Sequence, residues 1–256
     1  MLAEGYRIYL ETRKKNDFAF NRFLARPIAG VVVAALARTS LRPNQITVLN
    51  LVIFLVACAM LIALPTYAGG LWAMFVLEVS YVFDCADGML ARHKKLASKE
   101  GHLFDFFTDE LKATALAASV GVRLFLTGGS GPVLGPPFVG AWEPAWFLLA
   151  TVAITLVVAS AISLTNFIRR PEISGREQTV EAYYETVSAQ VPRSVAQRVA
   201  GAVFGLLRLL NHYPSHIYLF ALGGRLDAFF FLYGALNGLY LARGWLSILL
   251  RFGRGG

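Results

Sequence analysis

The sequence predicts an all-α membrane protein: about six transmembrane helices preceded by an N-terminal interfacial amphipathic helix. Composition is the first reason. The chain is 56% hydrophobic and 16% charged, with a mean hydropathy of +0.55, whereas soluble domains carry roughly 25% charged residues. The second is the recurrence of apolar stretches long enough to cross a hydrocarbon core about 30 Å thick. The third is an alternation of basic and non-basic connections between those stretches. The same composition excludes a disordered chain or a coiled coil.

The elements follow in order. Residues 1 to 15 are polar and end in Arg13, Lys14 and Lys15. They lack an apolar run ending in small residues, so no cleavable signal peptide is expected. Ile28 to Leu36 is too short to span and is flanked by arginines, which fits an interfacial helix. Pro43 and Asn44 punctuate, and Ile46 to Leu64 carries no charge over 19 residues, making the first span. The second starts near Leu71, runs through Phe83 and continues as helix to about Arg92. The third begins near Gly101 and is apolar from Ala113 to Leu126 except for Arg123. After a Gly/Pro-rich loop, Ala145 to Ile168 is the fourth. Residues 169 to 198 form a polar loop. Val199 to Leu210 is amphipathic with Arg208, Tyr213 to Gly224 is apolar with a Pro214 that kinks or starts a helix, the fifth span falls within these two stretches, and Leu226 to Leu250 is the sixth. No repeat marks a second domain. Residues 1–256 read as one unit, with an interfacial N-terminal region at 1–42 and a six-helix core at 43–252.

Charge sets the expected orientation. Lysines and arginines number eight in residues 1 to 42, four in 92 to 99 and five in 169 to 198. The connections 65 to 70 and 127 to 144 have none. By the positive-inside rule, both termini and the loops after the second and fourth spans are cytoplasmic. The net charge of +8 then points to an anionic membrane surface or substrate, and no nucleic-acid partner is expected. Cys58 and Cys85 lie in apolar segments and form neither a disulfide framework nor a metal-ligand spacing.

Against this background the acidic residues stand out. Asp84 and Asp87 are spaced i, i+3, and Asp105 and Asp109 i, i+4, so each pair occupies one helix face. The first pair ends the second span and the second pair begins the third, both on the cytoplasmic side. An antiparallel hairpin brings all four to one depth, where clustered anions need a compensating cation. Oxygen donors without His or Cys indicate Mg²⁺, Mn²⁺ or Ca²⁺ rather than Zn²⁺. Four carboxylates suffice for a two-metal site suited to displacement at phosphorus. The competing reading is that they are solvated loop residues paired with Lys94, Lys95 and Lys99.

Asp84, Asp87, Gly88, Ala91, Arg92, Gly101, Asp105 and Asp109 stand in the pattern D-x-x-D-G-x-x-A-R-x8-G-x3-D-x3-D. This resembles the signature of the CDP-alcohol phosphotransferase (CDP-alcohol phosphatidyltransferase) family at all eight fixed positions. The six spans, the preceding amphipathic helix and Pro43-Asn44 also look like the family. The resemblance implies transfer of a phosphoryl-alcohol group from a CDP-linked donor to a hydroxyl, with release of CMP. It implies that Asp84, Asp87 and Asp105 bind metal and that Asp109 both touches metal and acts as general base. It implies two ions of Mg²⁺ or Mn²⁺, and a homodimer. Gly88, Ala91, Arg92 and Gly101 would shape the CDP site; small residues leave room for a nucleotide, and Arg92 supplies a cation.

Other polar groups are less specific. Asn44 and Thr47 begin the first span and either reach the nucleotide or cap the helix. Asn166, Arg169 and Arg170 end the fourth and either line an acceptor pocket or anchor the span. His212 and His216 are spaced like a metal pair but have no third ligand, and read as structural. An ion-coupled transporter is the competing class of function, but its acids tend toward the midplane with broken helices, whereas these cluster at one interface. The signature does not separate a CDP-diacylglycerol donor with a soluble alcohol from a CDP-linked small headgroup, of the choline or ethanolamine type, with a lipid alcohol. The compact chain and the polar end of the fourth span favour the first.

Overall fold

In the computed structural model, which describes residues 1–14, 17–129, 143–169 and 195–252, all regular secondary structure among the described residues is helical. The helices are α1 (Leu2–Thr12), α2 (Arg26–Leu36), α3 (Pro43–Ala63), α4 (Tyr67–His93), α5 (Lys99–Thr127), α6 (Pro144–Arg169), α7 (Val195–Asn211), α8 (Ile217–Leu222) and α9 (Leu226–Phe252). A π-helical turn, Asn21–Ala25, leads into α2, and a 3-10 turn, Tyr213–Ser215, separates α7 from α8.

Local signals account for the boundaries. Pro43 occupies the first turn of α3, where its missing N–H costs nothing, and the Arg42 N–H donates to Gln45 Oε1 at 2.8 Å. Thr66 Oγ1 caps α4 by accepting from the Gly69 N–H at 3.1 Å, and Ser98 Oγ caps α5 by accepting from Gly101 at 3.0 Å. α5 ends at Gly128, whose φ of 60° is the left-handed conformation that a helix C-terminus favours in glycine.

Three helices among the described residues are long and apolar enough to cross a membrane: α3, α4 and α6 (Pro144–Ile168 of it). They coincide closely with the first, second and fourth expected spans. α5 and α9 are as long but carry ionisable residues along their length, among them Lys112 and Arg123 in α5. The apolar stretch Tyr213 to Gly224 is not one helix, and its Pro214 does interrupt it. Pro214 sits in the 3-10 turn, and α8 has 6 residues, about 9 Å of rise against a core of about 30 Å. Residues 1 to 15, read as merely polar, contain α1.

α3 packs against α4 and α5, α5 against α6, and α6 against α9, while α1 and α2 lie on one another and on α4. Phe54, Leu61, Leu77, Leu116, Val120, Phe147 and Phe230 fill the larger core. A second core beneath α1 and α2 holds Ile8, Val33, Ile46, Cys85 and Leu90. At the far end from the aspartates, buried Arg123 donates to the carbonyls of Leu61 (3.0 Å), Leu64 (2.8 Å) and Thr66. One side chain thus satisfies the orphan carbonyls that close α3 and the turn to α4.

α5 and α6 approach closely because position 121 is glycine: a Cβ there would overlap the Thr151 side chain. Gly121→Leu is expected to destabilise the protein by about 1–3 kcal/mol, read as a lowered Tm in detergent. An unchanged Tm would show that this contact does not limit the packing.

Candidate metal centre

The last turns of α4 and the first turns of α5 both lie beside the start of α3, which packs against each of them, and this juxtaposition builds the site. Carboxylate oxygens of Asp84, Asp105 and Asp109 all lie within 4.8 Å of one another. The side chain of Asp109 is 52% exposed and that of Asp84 22%, so the cluster opens on the Asp109 side. Asp87 is buried and stands beside these three; it accepts from Thr47 Oγ1 at 2.7 Å and lies within electrostatic reach of Asp84 and Asp105.

The supporting groups come from three helices. Asn50 of α3 donates its Nδ2 to Asp84 Oδ1 at 2.8 Å, and its own Oδ1 accepts from Ser80 Oγ at 2.5 Å. Lys112 of α5, 3% exposed, contacts Asp84 Oδ1 and lies 2.7 Å from Asp109 Oδ1. The carboxylates therefore have a cation among them, but it is not a loop lysine. Lys94 is engaged elsewhere, donating to the Thr39 and Leu41 carbonyls at 2.8 and 3.1 Å. Lys14, just after α1, acts electrostatically on Asp105 and Asp109. It also lines a cavity of about 400 Å³ with Tyr9, Arg13, Asp17, Arg22 and Arg26.

The remaining expected residues are distributed as follows. Gly88 faces Arg92, whose Nε donates to the Thr12 carbonyl at 3.1 Å; Ala91 lies between them on the same helix, half-buried. Gly101 abuts Asn44, so a Cβ there would stand 3.2 Å from Asn44 Oδ1. A groove beside it, lined by Asn44, Gln45, Val48 and Phe104, encloses about 400 Å³. Asn166 donates to Glu110 Oε2 at 3.4 Å, and Glu110 also accepts from Ser163. The Arg169 side chain and Arg170, like Tyr183 and Tyr184, lie outside the described residues. His212 bonds Tyr81 (2.8 Å) and Ser215 (2.6 Å), and His216 bonds the Leu210 carbonyl (2.8 Å), so the two rings have structural partners. Glu78 Oε1 has no hydrogen-bond partner among the described residues.

The donor set fits a hard divalent cation. Three convergent carboxylates at this spacing match metal–oxygen bonds of about 2.0–2.6 Å, and no nitrogen or sulfur donor is among them. The model of the CDP-alcohol phosphatidyltransferase family matches residues 40–180, more than half of the chain and all of the site-bearing segment. The chain belongs to the CDP-alcohol phosphatidyltransferase family. No curated protein matches it. As a CDP-alcohol phosphatidyltransferase it is a transferase of substituted phosphate groups, and its family is typically dependent on divalent metal. The three spanning-length helices among its described residues and its family make it a membrane protein.

Sequence reasoning missed Lys112, Asn50 and Ser80. Lys112 follows Asp109 by three residues, a spacing that puts the two on one face, and this was the available signal. Asn50 and Ser80 are polar residues inside apolar spans, the pattern expected of groups that face a bundle interior. Because Asn50 orients Asp84 without adding charge, Asn50→Leu is expected to weaken Mn²⁺ binding about tenfold, measured by the loss of the free-ion EPR signal. Unchanged affinity would remove Asn50 from the support of the site.

Proposed function

We propose that this family member transfers a phosphatidyl group from CDP-diacylglycerol to the hydroxyl of a water-soluble alcohol, releasing CMP, at a cytoplasmic metal centre. One observation carries the reading: the motif aspartates of two distant segments converge, with Asp109 the exposed member.

In this reading Asp84, Asp87, Asp105 and Asp109 hold two Mg²⁺ or Mn²⁺ ions. When bound, the metal supplies charge compensation to the donor's diphosphate. Asp109 accepts the proton of the acceptor hydroxyl. That oxygen attacks the phosphorus bearing the diacylglycerol, the bond from this phosphorus to the bridging oxygen breaks, and CMP departs with the electron pair. CMP is a stable phosphate monoester, so no nucleophilic Ser or Cys is needed. Gly88, Ala91, Arg92 and Gly101 form the nucleotide side, with Asn44 and Thr47 at its edge. Asn166, Arg169 and Arg170 form the acceptor side.

The compact chain and the polar end of α6, where Asn166 stands, support the lipid-linked donor. The architecture we assign is six spans, formed by α3, α4, α5, α6, the α7–α8 segment and α9, with α2 lying in the interface. Both termini are cytoplasmic, and the enzyme is a homodimer.

Asp109→Asn is expected to reduce turnover at least about a hundredfold, the scale of a general base, while retaining donor binding. Near-normal CMP release would sink that role. EDTA should abolish activity, and Mg²⁺ or Mn²⁺ should restore it; activity in a thoroughly stripped sample would contradict the metal centre. Radiolabelled CDP-diacylglycerol and CDP-ethanolamine, each given with mixed acceptors, test the donor. Label entering new lipid only from the second would overturn our choice.

A further inference from the structure

We infer that Lys112 is a resident counter-cation of the carboxylate centre, holding Asp84 and Asp109 together whenever divalent metal is absent. This inference rests on the metal-centre reading above and adds a residue that the family signature does not contain.

The geometry is specific. The Lys112 ammonium meets one oxygen of Asp84, from α4, and one of Asp109, from its own helix. Asp84 Oδ1 receives both Lys112 and the Asn50 amide. The Lys112 side chain is almost completely buried. A buried ammonium is stable only when paired, and clustered carboxylates at this depth are stable only when compensated. Each requirement meets the other. Lys112, even with Lys14 acting on Asp105 and Asp109, does not offset four carboxylates, so the centre still attracts a divalent ion. It has enough compensation to hold Asp84 and Asp109 together between metal-binding events.

The consequence concerns the difference between two states. Without Lys112, the metal-free protein must hold Asp84 and Asp109 together against their own repulsion, whereas the metal-loaded protein has the metal's charge instead. Loss of the lysine should therefore destabilise the metal-free state more than the loaded one. By linkage, metal then stabilises the variant more than the parent. A lysine with only a packing role would lower both states equally. A lysine that mainly orients ligands for metal would lower the loaded state more.

The test compares full-length protein in detergent, as parent, Lys112→Met and Lys112→Arg, by thermal unfolding in EDTA and in saturating Mn²⁺, with Mn²⁺ affinity read by EPR. The parent should show a Tm gap between the two conditions. In Lys112→Met the gap should widen by about 5 °C or more, with Mn²⁺ bound at least as tightly. Lys112→Arg, which keeps the charge, should return the gap toward that of the parent. A gap in Lys112→Met equal to or smaller than the parent's, or weaker Mn²⁺ binding, overturns the inference while leaving the metal centre intact. Should Lys112→Met not fold in EDTA yet fold in Mn²⁺, the inference is upheld in its strongest form. Failure in both, with Lys112→Arg keeping the parent's gap and Mn²⁺ affinity, overturns it in favour of a packing role. A parent with no gap and no Mn²⁺ binding overturns the metal-centre reading, and the inference with it.

Discussion

The need to compensate negative charge at the edge of an apolar bundle governs this structure. Asp84, Asp87, Asp105 and Asp109 come from the ends of two long helices, and each is separately costly near hydrocarbon. α3, α4 and α5 meet around the solution: Lys112 between Asp84 and Asp109, Thr47 on Asp87, and Asn50 on Asp84. All three supporting groups project from α3 or α5, so the packing of α3 against both α4 and α5 brings the centre together. The apolar core below, around Phe54, Leu77 and Leu116, sets the distance at which the carboxylates meet.

The exposure of the cluster is uneven, and this divides its labour. Asp87 is sealed beneath Thr47, while Asp109 faces outward. A buried member can hold charge in place but cannot reach a soluble molecule; an exposed one can. Lys14, just after α1, acts electrostatically on Asp105 and on the exposed Asp109. Arg92, the basic residue of the signature, ties α4 to the end of α1 through the Thr12 carbonyl. The N-terminal region is thus joined to the site and is not merely a membrane anchor.

Much of this was legible in the sequence, for physical reasons that differ by element. α3 and α6 read clearly because uncharged runs of spanning length have few alternative fates, and α4 because its run carries no charge but Glu78 before the aspartates; Pro43 and Pro144 mark the starts of α3 and α6. The aspartate spacing was legible because helical periodicity is rigid over one turn. In the 213–224 stretch Pro214 signalled a kink or a helix start, and it stands in the 3-10 turn, but apolar composition did not show how short the helix after it is. α1 was missed because short polar sequences form helices mainly through tertiary contact; here Gly5 crosses close to Gly30 of α2. Lys112 was missed because an apolar run counted from Ala113 leaves it at the edge, where lysines are ordinary. Its partner on α4 lies 28 residues away, a distance that no local pattern reveals.

Arg123 carries a consequence for how the chain enters the bilayer. In the six-span arrangement proposed above, α5 brings two cations, Lys112 and Arg123, into a membrane. Alone, each would cost about 2.5–3.5 kcal/mol at the centre of a helix on an insertion scale. Both are matched by groups that precede α5 in the chain: Arg123 by the carbonyls of Leu61, Leu64 and Thr66, and Lys112 by Asp84. During synthesis, α3 and α4 are available before α5 emerges. The order of the segments lets the earlier hairpin act as a template, so that α5 partitions into lipid against partners already in place rather than as an isolated polar helix.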